Sequence, residues 1–100
     1  SSRVDAVELS RARAEIEGLQ VVDVRQPGET EGGIIDGAIT IPLTRLNQEL
    51  SRLDAARPTV VYCAGGFRSS IAASKMRSAG FADVSDLLGG FVAWESLADA

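Results

Sequence analysis

The residues of this chain best suited to chemistry surround its single cysteine, Cys63. An apolar run, Thr59–Tyr62, precedes it and predicts a buried β-strand. Two glycines follow, and then residues that suit the start of a helix. Backbone N–H groups converge at such a turn, and a helix N-terminus adds partial positive charge. The pattern therefore favours an anionic sulfur and predicts a thiolate-based enzyme.

Because the chain contains no histidine, Cys63 can be activated only by backbone amides, a helix N-terminus or an arginine. Cys–His dyads, His-assisted serine nucleophiles and His-containing zinc sites are excluded. Lowering a thiol pKa from about 8.5 to about 6.5 takes about 2.7 kcal/mol, and a helix N-terminus supplies about 0.3–1 kcal/mol. Two or three amide hydrogen bonds of about 1.5 kcal/mol each would supply the rest, in a loop that Gly65 and Gly66 permit. The alternative is a cysteine that only packs as a small apolar side chain.

Composition sets the class of protein and the partners to expect. One hundred residues suit a single α/β domain, residues 1–100, and a net charge of -4 gives no basic surface for nucleic acid. No apolar run reaches the roughly 20 residues of a membrane span, and the N-terminus lacks a signal peptide's apolar core. A lone cysteine cannot form an internal disulfide, so we expect a cytoplasmic protein without membrane partners. Because Ser1 stands where an initiating Met would, the chain is either trimmed or cut from a longer protein.

Strand and helix patterns alternate along the chain, which predicts a mostly parallel sheet with helices on both faces. Strands are expected at residues 19–24, 38–41, 59–62 and 84–87, with a short edge strand at 3–4. Helices are expected at 6–17, at 43–56 with an irregular start, from a cap at Ser69 or Ser70 to the residue before Gly80, and from 91 onward, with one turn at 27–31. The first helix begins with an Asp-x-x-Glu capping box at Asp5 and Glu8.

Two charged residues end the strand before the long glycine-containing loop. Asp23 and Arg25 lie two residues apart and therefore on the same side of the strand. Ligands bind at the carboxyl ends of parallel strands, so this pair and Cys63 are expected to be neighbours. We interpret the pair as a scaffold ion pair beneath the cysteine loop. The acidic residues Glu29, Glu31 and Asp36 are interpreted as a solvated loop face.

Three ordered motifs resemble the rhodanese (sulfurtransferase) family. Residues 63–69 read CAGGFRS, like the family's active-site loop. Residues 21–29 and 37–43 read VVDVRQPGE and GAITIPL, like its N-terminal signature, and residues 88–94 read LGGFVAW, like its C-terminal one. Many members carry a histidine where this chain has Gly33. The resemblance covers nearly the whole chain.

The resemblance implies a five-stranded sheet and a two-step reaction without metal or cofactor. The Cys63 thiolate would take sulfane sulfur from thiosulfate or a glutathione-type persulfide and pass it to a thiol or cyanide. Loop residues would bind the persulfide through their amides, and Arg68 would add positive charge for an anionic donor. The implied substrate-binding residues are Ala64, Gly65, Gly66, Phe67, Arg68 and Ser69. Trp94, with Asp23 and Arg25, is expected to support the scaffold.

The alternatives differ in what the loop does. Six residues from Cys63 to Arg68 match sulfurtransferases, whereas related phosphatases and arsenate reductases carry seven, so phosphate chemistry is disfavoured. A non-enzymatic rhodanese-like module that carries sulfur or docks onto a larger protein is the second candidate. The CAGGFRS loop also resembles those of rhodanese domains fused to, or partnered with, persulfide dioxygenases. Phe67 either packs into the core or forms an apolar wall for the substrate.

Overall fold

The computed structural model describes residues 2–98, which form a five-stranded parallel β-sheet covered by helices. The strand order is β1-β5-β4-β2-β3, so β4, which leads into Cys63, lies at the centre. All four pairings are parallel, which confirms the predicted sheet. The strands are β1 (Ser2–Val4), β2 (Gln20–Asp23), β3 (Ile39–Thr40), β4 (Thr59–Tyr62) and β5 (Val84–Leu87).

Within residues 2–98, four α-helical segments lie between strands and a fifth follows β5: α1 (Ala6–Glu15), α2 (Pro27–Thr30), α3 (Leu46–Glu49), α4 (Phe67–Ser78) and α5 (Gly90–Ala98). The capping box of α1 is confirmed. The amide of Glu8 donates to the Asp5 carboxylate at 2.8 Å, and the amide of Asp5 donates to the Glu8 carboxylate at 2.9 Å. The helix ends at Glu15 rather than at residue 17, because Ile16 is already extended.

The predicted helix over residues 43–56 is irregular at its start, as expected, but it is also irregular at its end and stops before residue 56. It consists of a 3₁₀ turn (Leu43–Arg45), then α3, then a second 3₁₀ turn (Leu50–Arg52). The leucine spacings of three, four and three follow this sequence, because a 3₁₀ turn repeats every three residues. The segment stops at Leu53, which adopts an extended conformation.

Two apolar cores lie on the two faces of the sheet, which confirms helices on both sides. One core joins α3 and α4 to the sheet, and the other joins α1 and α5 to it. The buried residues of the first include Val22, Leu46, Val61, Ala72 and Met76. Those of the second are Leu9, Val21, Ile35, Val60, Tyr62 and Leu87. Among the helices of residues 2–98, none is long and apolar enough to cross a membrane.

Candidate active site

Cys63 follows the last residue of the central strand and lies at the carboxyl edge of the sheet. Only 1% of the residue is exposed. Two backbone amides donate hydrogen bonds to its Sγ atom, from Gly66 at 3.1 Å and from Ser69 at 3.3 Å. The loop therefore curls around the sulfur and presents N–H groups to it, as the sequence predicts for a stabilised thiolate.

The helix after the loop begins earlier than expected. Its N-cap is Gly66, whose φ of +112° suits glycine, and Phe67 is its first residue, so the predicted serine caps are wrong. The Gly66 cap has no side chain, and Sγ of Cys63 accepts the Ser69 amide of the first turn in its place. The serine hydroxyls donate backward to carbonyls instead, Ser69 to Gly66 at 3.2 Å and Ser70 to Phe67 at 2.8 Å.

The surroundings of Cys63 lower the pKa of its thiol below the ordinary value. Burial raises this pKa, but it is outweighed by the Ser69 hydroxyl and by the amides of Ser69, Gly66 and Gly65. These groups all favour the charged sulfur. Hydrogen bonds to the sulfur therefore provide the stabilisation of the thiolate that a neighbouring histidine would provide elsewhere.

Ser69→Ala is expected to raise the pKa of Cys63 toward that of a free thiol, because the Ser69 hydroxyl can rotate its one proton from the Gly66 carbonyl, 3.2 Å away, to the sulfur and so stabilise the thiolate. The titration followed by thiolate ultraviolet absorbance should then move to higher pH, with Cys63→Ser as the baseline. Ser70→Ala is the matched control, since its hydroxyl lies on the same helix but donates to Phe67. Equal shifts in both variants would show that the Ser69 hydroxyl has no specific effect.

The start of α5 holds the cysteine loop from the other side. The amide of Phe91 donates to the carbonyl of Cys63 at 2.8 Å, and that of Val92 donates to the carbonyl of Ala64 at 3.2 Å. Glycine at position 90 allows α5 to come this close to the cysteine loop. Its φ is +58°, and a Cβ atom there would lie 2.5 Å from the carbonyl oxygen of Ala64 and would also overlap the carbonyl oxygen of Cys63. The glycines of the C-terminal motif therefore belong to the scaffold of the site.

Asp23 and Arg25 form the buried ion pair that the sequence predicts. The guanidinium donates to both carboxylate oxygens, the Nη2–Oδ2 contact being 2.8 Å, and lies 4.1 Å from the centre of the Phe91 ring. It also donates to the carbonyls of Glu29 at 3.3 Å and Gly33 at 2.8 Å. Arg25 therefore links the sheet, α5 and the loop after β2.

Arg68 does not stand alone beside the sulfur. Its guanidinium makes two hydrogen bonds to the Glu29 carboxylate, at 2.6 and 2.8 Å. The Arg68 hydrogen bond is the main cause that lowers the pKa of Glu29 to about 2. Glu29, Glu31 and Asp36 are all exposed, as the sequence predicts, but Glu29 also forms an ion pair that the sequence does not indicate. Sequence reasoning missed the pair because 39 residues separate its members.

The other residues predicted for the site differ in how far they are exposed to solvent. Phe67 is 78% exposed, so it does not pack into the core and lies on the surface of the cysteine loop. Gly65 is exposed and Ala64 is half-buried. Trp94 packs against the core under α1 and α5, with the Arg13 guanidinium 5.5 Å from its ring centre. It therefore anchors α5, as a scaffold residue does.

One residue beside the loop was not predicted. Arg3, on the edge strand β1, forms an ion pair with Asp86 at 3.2 Å and donates to the carbonyl of Gly66 at 3.5 Å. The contact depends on the parallel pairing of β1 with β5, which places Arg3 beside Asp86. No local sequence signal marks such a pairing, since 83 residues separate the two partners.

The sequence itself matches a family model described as Rhodanese-like domain, over residues 5–97. The chain belongs to the rhodanese-like domain family. Relatives and solved structures agree with this assignment. A rhodanese-like domain protein from Staphylococcus aureus superposes with a TM-score of 0.88 at 30% identity, covering 94% of this chain and 91% of that one.

Several relatives of this rhodanese-like domain carry names that state an activity. A "Sulfurtransferase" of Allochromatium vinosum is 32% identical over 93% of this chain and 87% of the relative. "Thiosulfate sulfurtransferase GlpE" of Shewanella oneidensis is 39% identical over 80% of this chain and 79% of the relative. The uncharacterized protein YqhL of Bacillus subtilis is 40% identical over 82% of this chain, which spans 65% of its length.

Proposed function

We propose that this rhodanese-like domain is a sulfurtransferase that carries sulfane sulfur on Cys63. The observation that carries the proposal is the Sγ atom of Cys63, which accepts the amide of Gly66 within the six-residue loop and that of Ser69 just after it. An atom held in this way is stabilised as an anion, and a thiolate is the nucleophile in sulfur exchange. The sulfurtransferase names of two relatives support the same chemistry.

The reaction needs no general base, because the same thiolate attacks and is later released. The Cys63 sulfur attacks the outer sulfur of thiosulfate, a new S–S bond forms, and sulfite leaves with the electron pair of the broken bond. With a persulfide donor, a thiolate leaves instead. In the second step a thiol or cyanide attacks the outer sulfur of the Cys63 persulfide and regenerates the thiolate.

The roles of the loop residues follow from their positions. The amides of Gly66 and Ser69 would stabilise the negative charge of the sulfur before and after each transfer. Phe67, which is 78% exposed, would form an apolar wall for the incoming donor or acceptor. Thiosulfate is supported as a donor by the name of the Shewanella relative. A glutathione-type persulfide, and a fused or partner persulfide dioxygenase, are supported by the loop sequence alone.

Intact mass spectrometry tests the proposal. The purified protein, incubated with thiosulfate or glutathione persulfide, is expected to gain the mass of one sulfur atom, and cyanide should remove it. Cys63→Ser should gain nothing. The absence of an adduct with every sulfane donor would overturn the proposal. An adduct that forms but is not turned over repeatedly with cyanide or thiols would instead favour the non-enzymatic carrier.

A further inference from the structure

The one cation of the cysteine loop is already paired with an acid. Arg68 and Glu29 make a two-pronged contact at 2.6 and 2.8 Å, and their side chains are 32% and 36% exposed. The pair therefore lies at the surface of the protein, with both side chains open to solvent. A guanidinium that holds a carboxylate in this geometry has both of its parallel N–H groups occupied.

Glu29 is held in place independently of Arg68. Its carboxylate accepts the amide of Gln26 at 2.9 Å in the first turn of α2, and its carbonyl accepts the Arg25 guanidinium at 3.3 Å. With a pKa of about 2, Glu29 is charged throughout the neutral range. The carboxylate is thus a fixed negative charge, built into the segment that the buried Asp23–Arg25 pair secures.

The net charge at the site should favour donors that carry less negative charge. A Cys63 thiolate, the Arg68 guanidinium and the Glu29 carboxylate together carry a net charge of about one negative unit, which repels a dianion more strongly than a monoanion. We propose that Glu29 determines donor specificity: it neutralises Arg68 and favours alkyl persulfides over thiosulfate. This inference depends on the proposed function, because it concerns the donor of the same reaction.

The test compares two donors with and without the Glu29 charge. Glu29→Gln retains an oxygen for the Gln26 amide and removes the negative charge. Its kcat/KM for thiosulfate is expected to rise about tenfold, mainly through KM, which corresponds to about 1.4 kcal/mol. Its kcat/KM for 2-hydroxyethyl persulfide, which carries less negative charge, should change much less. Added salt should raise the wild-type rate with thiosulfate more than that of the variant, since it screens the repulsion.

Glu31→Gln provides the matched control. It removes the same charge from the same loop, at an exposed position two residues further along. The inference is supported if only Glu29→Gln changes the ratio of kcat/KM between the two donors. It is overturned if Glu31→Gln changes that ratio equally, or if neither variant changes it. It is also overturned if Glu29→Gln lowers kcat/KM for both donors by the same factor, because Glu29 would then act by positioning Arg68.

A binding measurement separates this inference from the proposed function. If the wild type takes sulfur from neither donor, the proposed function fails. Thiosulfate binding to Cys63→Ser, measured by calorimetry with and without Glu29→Gln, then decides the role of Glu29. Tighter binding in the double variant supports the inference, and equal binding overturns it.

Discussion

Arg25→Met is expected to destabilise the protein by about 3–5 kcal/mol, because it leaves the buried Asp23 carboxylate without its cation. Asp23 is completely buried and Arg25 is 5% exposed, so water cannot replace the lost partner. The variant also loses the contact with Phe91 and the hydrogen bonds to Glu29 and Gly33. Thermal unfolding should show a melting temperature lower by at least about 12 °C for a domain of this size.

Two further variants make this prediction specific. Arg45→Met is the same substitution in an exposed ion pair with Glu49, and it should leave the melting temperature almost unchanged. Asp23→Asn combined with Arg25→Met should be more stable than the sum of the two single effects predicts, because no buried charge is left. Strict additivity would mean that the two side chains contribute independently, contrary to the structure.

Gly90→Ala is expected to destabilise the protein by about 2–4 kcal/mol and to slow sulfur uptake, because it combines backbone strain with a steric overlap. A Cβ atom at Gly90 would overlap the carbonyls of Cys63 and Ala64, which belong to the main chain and cannot rotate away. The loop would have to move, and the amides that meet the sulfur would move with it. Chemical denaturation measures the stability, and the rate of sulfur uptake by mass spectrometry measures the loop.

Gly18→Ala separates the effect of backbone strain from that of steric overlap. Gly18 has a φ of +78°, but no atom lies within 4 Å of a Cβ placed there. This control carries the backbone strain without the overlap, so it should cost about 1–2 kcal/mol and leave sulfur uptake unchanged. If Gly90→Ala behaves in the same way, the close approach of α5 to the cysteine loop is of no consequence for the reaction.

The central part of the sheet was predictable because β2, β4 and β5 each carry a local signal. The runs at Val21, Val60 and Val84 are apolar and bounded by turns, and their alternation with helices implies parallel pairing. Helix boundaries were less predictable. The serine at position 69 satisfies the rules for an N-cap, but the loop turns inward at Gly66 and lets the sulfur accept that serine's amide instead. A tertiary contact thus overrides a local preference.

Contacts in the site could be predicted where both residues belong to one segment of the chain. They could not be predicted where two distant segments meet. The hydrogen bonds between the loop and Cys63, and the Asp23–Arg25 pair, join residues at most six positions apart. The contacts of Glu29 with Arg68 and of Arg3 with Gly66 cross 39 and 63 residues. Such contacts depend on how the loops above the sheet fold toward one another, which no spacing rule specifies.

The hydrogen bond from the first turn of α4 to Sγ of Cys63 also limits how this domain can evolve. A mutation that replaces Cys63 removes the proposed nucleophile and the acceptor of a helical amide together, so most replacements should lose stability as well as the proposed activity. The short side chains that carry an oxygen able to accept such an amide are those of Ser, Thr, Asp and Asn. Descendants that abandon sulfur chemistry but keep the fold should therefore carry one of these four residues at the cysteine position.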